Sequence, residues 1–151
     1  MRKKCRRKVY QLVNPIQYAL EGAAIVEDNL ILELRIKELN AIDSMVKGTG
    51  TVDDWLILNE MMNLSEVMSK SGIGKEVFDV CNKAQQELIL SAKRYEKTKK
   101  MGLTGQGIQI MRDLYAYHDL QRKSISRAEY EKAIQKTINL IKGKSKNVVQ
   151  I

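Results

Sequence analysis

The stretch of this 151-residue chain best equipped for chemistry is the glycine-bearing turn Lys99-Lys100-Met101-Gly102-Leu103-Thr104-Gly105-Gln106-Gly107. It stands just ahead of a helix start, so backbone N–H groups, the positive helix end and the Thr104 hydroxyl can together hold a phosphate, with Lys99 or Lys100 adding charge. It is neither a Walker nor a dinucleotide motif, because those follow a strand and keep fixed glycine spacing, whereas this turn follows a helix. The plainer reading of the same residues is a tight interhelical turn that needs glycine geometry. A comparable turn, Gly48 to Asp54, carries Asp53 and Asp54, which repel an anion.

His118 is the only imidazole. Tyr115, Tyr117, Gln121 and Arg122 beside it have the chemistry to stack on and hydrogen-bond a base if that face opens to a subunit interface. Among Met111, Leu114 and Tyr115, the same histidine also reads as a core-edge residue satisfied by a neighbouring acceptor. Nucleophilic catalysis would need His118 beside Cys81 or a serine, which no spacing suggests. With one His, two separated cysteines and no clustered carboxylates, neither a zinc site nor a di-iron site is expected. The sequence therefore predicts no catalytic residues, no metal and no cofactor, and the chain is expected not to be an enzyme.

The elements that must position these residues are all helical. Thr104 caps a helix running to about Arg122, and Ser126 with Glu129 makes a Ser-x-x-Glu capping box for the next. The pair reads as an αα-hairpin joined by Lys123 to Ile125. Upstream, Asn14-Pro15 starts a short helix through Tyr18 and Leu20. Gly22-Ala23-Ala24 follows as a small-residue surface or bend, and Asp28 or Asn29 caps a longer helix ending at Gly48.

Apolar residues from Leu30 to Val46 cover about two thirds of the circumference of that longer helix, which predicts a central position for it. Arg35 and Glu38 fall inside the apolar sector, either as a pair facing a partner or as side chains snorkelling at a core edge. Thr51 with Asp54 opens a helix through Trp55, Ile57, Met61, Leu64 and Met68, and Trp55 is expected to seal the core near its start. Gly72-Ile73-Gly74 stops it. The next helix is predicted from about Lys75 to Met101, roughly 40 Å long. Val77, Cys81, Ala84, Leu88, Ser91 and Tyr95 form a coiled-coil-like seam along it. There is no internal repeat, and the brief alternation in Val9-Tyr10-Gln11-Leu12-Val13 is the single strand-like pattern.

These signals predict an all-α fold, a single-domain helical bundle of five or six helices with basic flexible termini. The divisions are a basic tail over 1–13, the bundle over 14–142 and a C-terminal tail over 143–151. The net charge is +8, but Arg2, Lys3, Lys4, Arg6, Arg7, Lys8, Lys142, Lys144 and Lys146 carry more than all of it, leaving a body of net −1. A nucleic-acid role would therefore fall to the N-terminal tail, not to a groove-reading helix. With Cys5 and Cys81 the only cysteines, and no run apolar enough for a signal peptide or a membrane span, the expectation is a reduced, cytoplasmic protein that does not engage membranes.

Several points across the chain resemble a group of short uncharacterised proteins of bacterial phages and prophages. They are the basic start, Asn14-Pro15-Ile16, Gly22-Ala23-Ala24, Asp54-Trp55, Tyr117-His118-Asp119-Leu120-Gln121 and Ala128-Glu129-Tyr130. The resemblance implies a phage accessory protein made in the bacterial host cell, of a kind that often acts on host defence or regulation by binding. The leading expectation is a non-enzymatic homo-oligomer that sequesters a nucleotide signal or a host protein. The nucleotide would be held by Lys99, Lys100, Thr104, Gly105, Gln106, Gly107, Tyr115, His118 and Arg122. The alternative is a nucleic-acid-binding or regulatory protein using the basic tail. Homo-oligomerisation is expected because the Leu30–Val46 stripe and the Val77–Tyr95 seam exceed what a minimal core needs.

Overall fold

The computed structural model describes residues 28–144, and the expected basic tail, Asn14-Pro15 helix and Val9–Val13 alternation lie outside them. Within the described residues the chain forms five helices and no strand: α1 (Asp28–Val46), α2 (Val52–Lys70), α3 (Val77–Thr98), α4 (Gly105–Lys123) and α5 (Arg127–Lys144). Local chemistry sets three of the starts. Thr51 and Asp54 exchange both bonds of a capping box at α2, the Thr104 hydroxyl accepts from the Gly107 N–H at α4, and Ser126 and Glu129 exchange both bonds at α5. Each satisfies backbone donors that a helix start otherwise leaves exposed.

The central helix is α2, not α1 as the apolar count suggested. It packs against α1, α3, α4 and α5, and buries Leu58, Met61, Met62, Ser65, Val67, Met68 and Ser69. Asp53, Glu60 and Lys70 keep a polar edge in solvent. On α1 the apolar residues divide: Ile31, Ala41, Ile42 and Met45 enter the core, while Leu32, Ile36 and Leu39 stay about half exposed.

Helix α3 is shorter than its pattern predicted, at about 33 Å. Lys99 turns left-handed (φ 56°) and its N–H bonds Tyr95 O, ending the helix. The chain is drawn away because Gly102 O accepts from Ser91 Oγ (2.8 Å) and Arg94 Nη2 (3.1 Å), and Leu103 N donates to Met45 O (3.2 Å). The expected seam is real but internal. Val77, Cys81, Ala84, Leu88 and Ser91 are all buried against this chain's own helices, so the seam offers nothing to a second copy. Trp55 sits at the core's edge as expected, its indole N–H donating to Leu88 O at 2.9 Å.

The hairpin expected of α4 and α5 does not form. The α4 face with Met111, Leu114, His118 and Gln121 is already buried against α2 and α3, so α5 packs on α2. There Tyr130 and Ala133 join Ile31, Met68 and Ile125 in a second cluster. Helix α5 also runs through Lys144, so residues 143 and 144 are helix and not tail.

Candidate functional site

The two glycine turns meet each other. Gly50 N donates to Met101 O at 3.1 Å, and a Cβ on Gly50 would lie 2.5 Å from Met45 Sδ and 3.0 Å from Met101 O. Close backbone approach accounts for the glycine here. The start of α4, where a phosphate was expected to sit, faces a carboxylate. The Thr104 hydroxyl accepts from Gly107 N at 3.0 Å and donates to Glu87 Oε2 at 3.2 Å. Gly107 is packed so closely on Glu87 that an added Cβ would meet Oε2 at 2.7 Å. Glu87 thus supplies the negative charge that a helix N-terminus favours. Lys100, Gly105 and Gln106 are exposed, and the Lys99 ammonium lies 5.7 Å from the Tyr95 ring.

The remaining expected ligand residues are elsewhere. His118 and Arg122 lie 13 and 17 residues beyond Gly105 on α4, about 20 and 26 Å along its axis. Both are fully buried, and Tyr115 is partly so. The turn and the His118 face therefore do not form one pocket.

What α4 builds is a polar cluster inside the bundle. Gln121 is its hub: Nε2 donates to Ile73 O (2.8 Å) and Ser65 O (3.3 Å), which can only accept and so fix the amide's orientation. Its Oε1 then accepts from Ser65 Oγ (2.7 Å) and from His118 Nδ1 (3.2 Å), which places the imidazole proton on Nδ1. Burial above all, then the Arg122 charge, pulls the His118 pKa down to about 3, so the ring is neutral. His118 Nε2 and Arg122 Nε, one acceptor and one donor, are buried without a protein hydrogen-bond partner among the described residues.

One turn further, Arg122 Nη1 and Nη2 each donate to the Glu38 carboxylate at 2.8 Å. Burial pushes the Glu38 carboxyl up from its ordinary value, and Arg122 opposes that push. Arg35 Nε and Nη2 donate to the two Asp119 oxygens at 2.7 Å, and Arg122 and Lys123 approach the same carboxylate at 3.5 and 3.3 Å. Burial raises Asp119, but the bonds from Arg35 and the nearby cations outweigh it and hold the carboxyl below 3.8. Arg35 and Glu38 thus pair with α4 and not with one another. The sequence signal was two charges inside the α1 apolar sector together with Asp119 and Arg122 at the same i, i+3 spacing on α4. Ser65 and Glu87 carried no such signal.

Apart from His118 Nε2 and Arg122 Nε, the polar side chains of the cluster are bonded to one another or to backbone carbonyls. The Cys81 thiol, pushed up to about 11 chiefly by burial, is likewise held protonated. Outside the cluster, Leu32, Ile36 and Leu39 are 51, 50 and 47% exposed, at i, i+4 and i+7 on α1. They lie on the same helix as Arg35, whose guanidinium is held by Asp119 of α4. An exposed apolar stripe of this kind beside a fixed ion pair is suited to docking. No protein-family model, curated protein or solved structure matches the chain.

Proposed function

We propose that this chain is a non-enzymatic binding protein of phage or prophage origin that holds a host protein, in the bacterial cytoplasm, against the face formed by α1 and α4. The observation that carries the reading is the half-exposed Leu32, Ile36 and Leu39 stripe beside the Arg35–Asp119 pair. Interfaces concentrate their energy in such apolar centres with fixed polar neighbours. The phage origin and the link to host defence rest on the sequence resemblance. The same face gives the chain a route to a twofold homodimer.

The protein-binding form is favoured over capture of a nucleotide. Glu87 lies under the α4 start, and His118 and Arg122 are enclosed. The test compares the unmodified chain with Ile36→Glu and Lys100→Glu variants. A host partner that co-purifies should be lost with Ile36→Glu and kept with Lys100→Glu. Retention of the partner by Ile36→Glu overturns the assignment of the face, and calorimetric heat from a nucleotide that Lys100→Glu removes would restore the nucleotide reading. The nucleic-acid alternative rests on Arg2–Lys8. Removing those residues should abolish a salt slope of about −5 in log affinity for duplex DNA if it holds.

A further inference from the structure

The charge around the exposed stripe of α1 is lopsided. Where α1 meets α4, Arg35, Arg112, Arg122 and Lys123 stand against two carboxylates, Glu38 and Asp119, an excess of two positive charges. Arg122 matches Glu38 and Arg35 matches Asp119, so the excess falls on the other two cations. Lys123 is half-exposed and reaches Asp119 at 3.3 Å, which ties it to the Arg35 pair. Arg112 is exposed on α4 seven residues before Asp119, a step that returns to nearly the same side of a helix. Asp113 is turned about 120° from Asp119 around α4 and accepts from Gln109. Other charges beside the stripe balance. Asp43 and Lys47 pair with each other at 2.7 Å at its C-terminal end, and Glu33 and Lys37 belong to the opposite edge of α1, lining a recess with Arg127 and Glu131 of α5. Leu32, Ile36 and Leu39 thus have a cationic flank toward α4 and a balanced one toward α5.

We propose that the segment docked on this face is an acidic amphipathic helix of the partner, with apolar side chains on Leu32, Ile36 and Leu39 and a row of Asp or Glu along the flank that meets Arg112 and Lys123. The inference rests on the reading of the α1–α4 face as a docking surface and names the chemistry of what docks. Spacing at i, i+4 and i+7 makes the stripe a ridge about 10 Å long, which a second helix covers with its own i, i+3, i+4 and i+7 positions. The exposed cations beside it select the sign of the partner. Opposite charge across the rim speeds encounter and fixes which way round the helix lies, and like charge turns other helices away. One-sided charge also separates this occupant from an anionic bilayer, which attracts cations on both flanks of an apolar stripe. A second copy of the chain competes for the same stripe, so the partner helix is to be titrated in excess.

Two fluorescent synthetic helices of equal length test it on the full chain. Both carry the same leucine stripe, one with Glu along a single flank and the other with Lys there. In anisotropy titrations at low salt the Glu helix should bind at least roughly 10-fold tighter than the Lys helix, and the gap should close at high salt. Arg112→Glu with Lys123→Gln should erase the preference, and Ile36→Glu should weaken both helices. Equal affinity, or preference for the Lys helix, overturns the acidic partner and leaves the docking face standing if Ile36→Glu still weakens both. Binding that Ile36→Glu leaves untouched overturns the docking face itself. Failure of both helices to bind overturns the proposal as well, whereas the docking face then stands or falls with the Ile36→Glu loss of a co-purifying partner. Capture of the chain by phosphatidylglycerol vesicles that Ile36→Glu removes would assign the face to a bilayer and overturn the proposal too.

Discussion

The Arg122 guanidinium, fully buried, grips the Glu38 carboxylate with two hydrogen bonds of 2.8 Å, Nη1 to Oε1 and Nη2 to Oε2, joining α4 to α1 across 84 residues of sequence. Replacing one partner leaves the other charged in the core. Glu38→Gln or Arg122→Met should each cost about 3–5 kcal/mol of unfolding free energy, while Glu38→Met with Arg122→Met should recover most of it. Urea unfolding of the three variants measures this. Equal losses in the singles and the double would show that packing, not charge, holds the helices.

His118 gives the bundle an acid-sensitive term with a definite sign. Its folded pKa of about 3 lies below the ordinary 6.5, so below pH 6.5 the unfolded chain takes a proton that the folded chain refuses. Stability should fall as pH drops from 6.5 toward 3, by up to about 5 kcal/mol. Asp119 adds to the fall at the acid end, because its depressed pKa contributes stability above the unfolded value that is lost as pH drops through the folded one. Denaturation curves at pH 7, 6, 5 and 4 for the unmodified chain and His118→Asn should diverge over that range, the variant showing the flatter profile. Parallel profiles would remove His118 as the cause.

Gly105 and Gly107 stand two residues apart at the start of α4 and should respond oppositely to alanine. A Cβ at Gly105 meets nothing within 4 Å, so Gly105→Ala should stabilise by about 0.5–1 kcal/mol. At Gly107 it would meet Glu87 Oε2 at 2.7 Å, so Gly107→Ala should destabilise by about 1–3 kcal/mol. Truncating Glu87→Ala in that background should relieve the clash. Thermal melts of the four proteins decide the matter, and a stabilising Gly107→Ala would contradict the close packing.

Leu88 and Ile36 separate core from docking face. Leu88→Glu places a carboxylate in the closed core and should unfold the chain. Ile36→Glu, at a half-exposed site, should change stability by no more than about 0.5 kcal/mol. Light scattering at micromolar concentration should return twice the 17.3 kDa chain mass for the unmodified protein and a single chain for Ile36→Glu. A single-chain mass for the unmodified protein would rule out the homodimer.

The sequence by itself determined the helical class, the caps at Thr51, Thr104 and Ser126, and the stops at Gly48 and Gly72 to Gly74. These depend on hydrogen bonds and φ values set within a few residues. It also marked Arg35 and Glu38 as charges in an apolar sector, because a helical wheel needs no partner to be drawn. Only the tertiary structure decided which helix is central, that the Val77–Ser91 seam faces inward, and that α5 leaves α4 for α2. A periodic apolar stripe states that a face must be covered and says nothing of what covers it. The pairing of Asp119 with Arg35, the Gln121 bonds to Ser65 and Ile73, and the bond from Thr104 to Glu87 join residues 17 to 84 positions apart. Side chains so distant in sequence acquire their partners, and His118 its lowered pKa, only once the helices have packed.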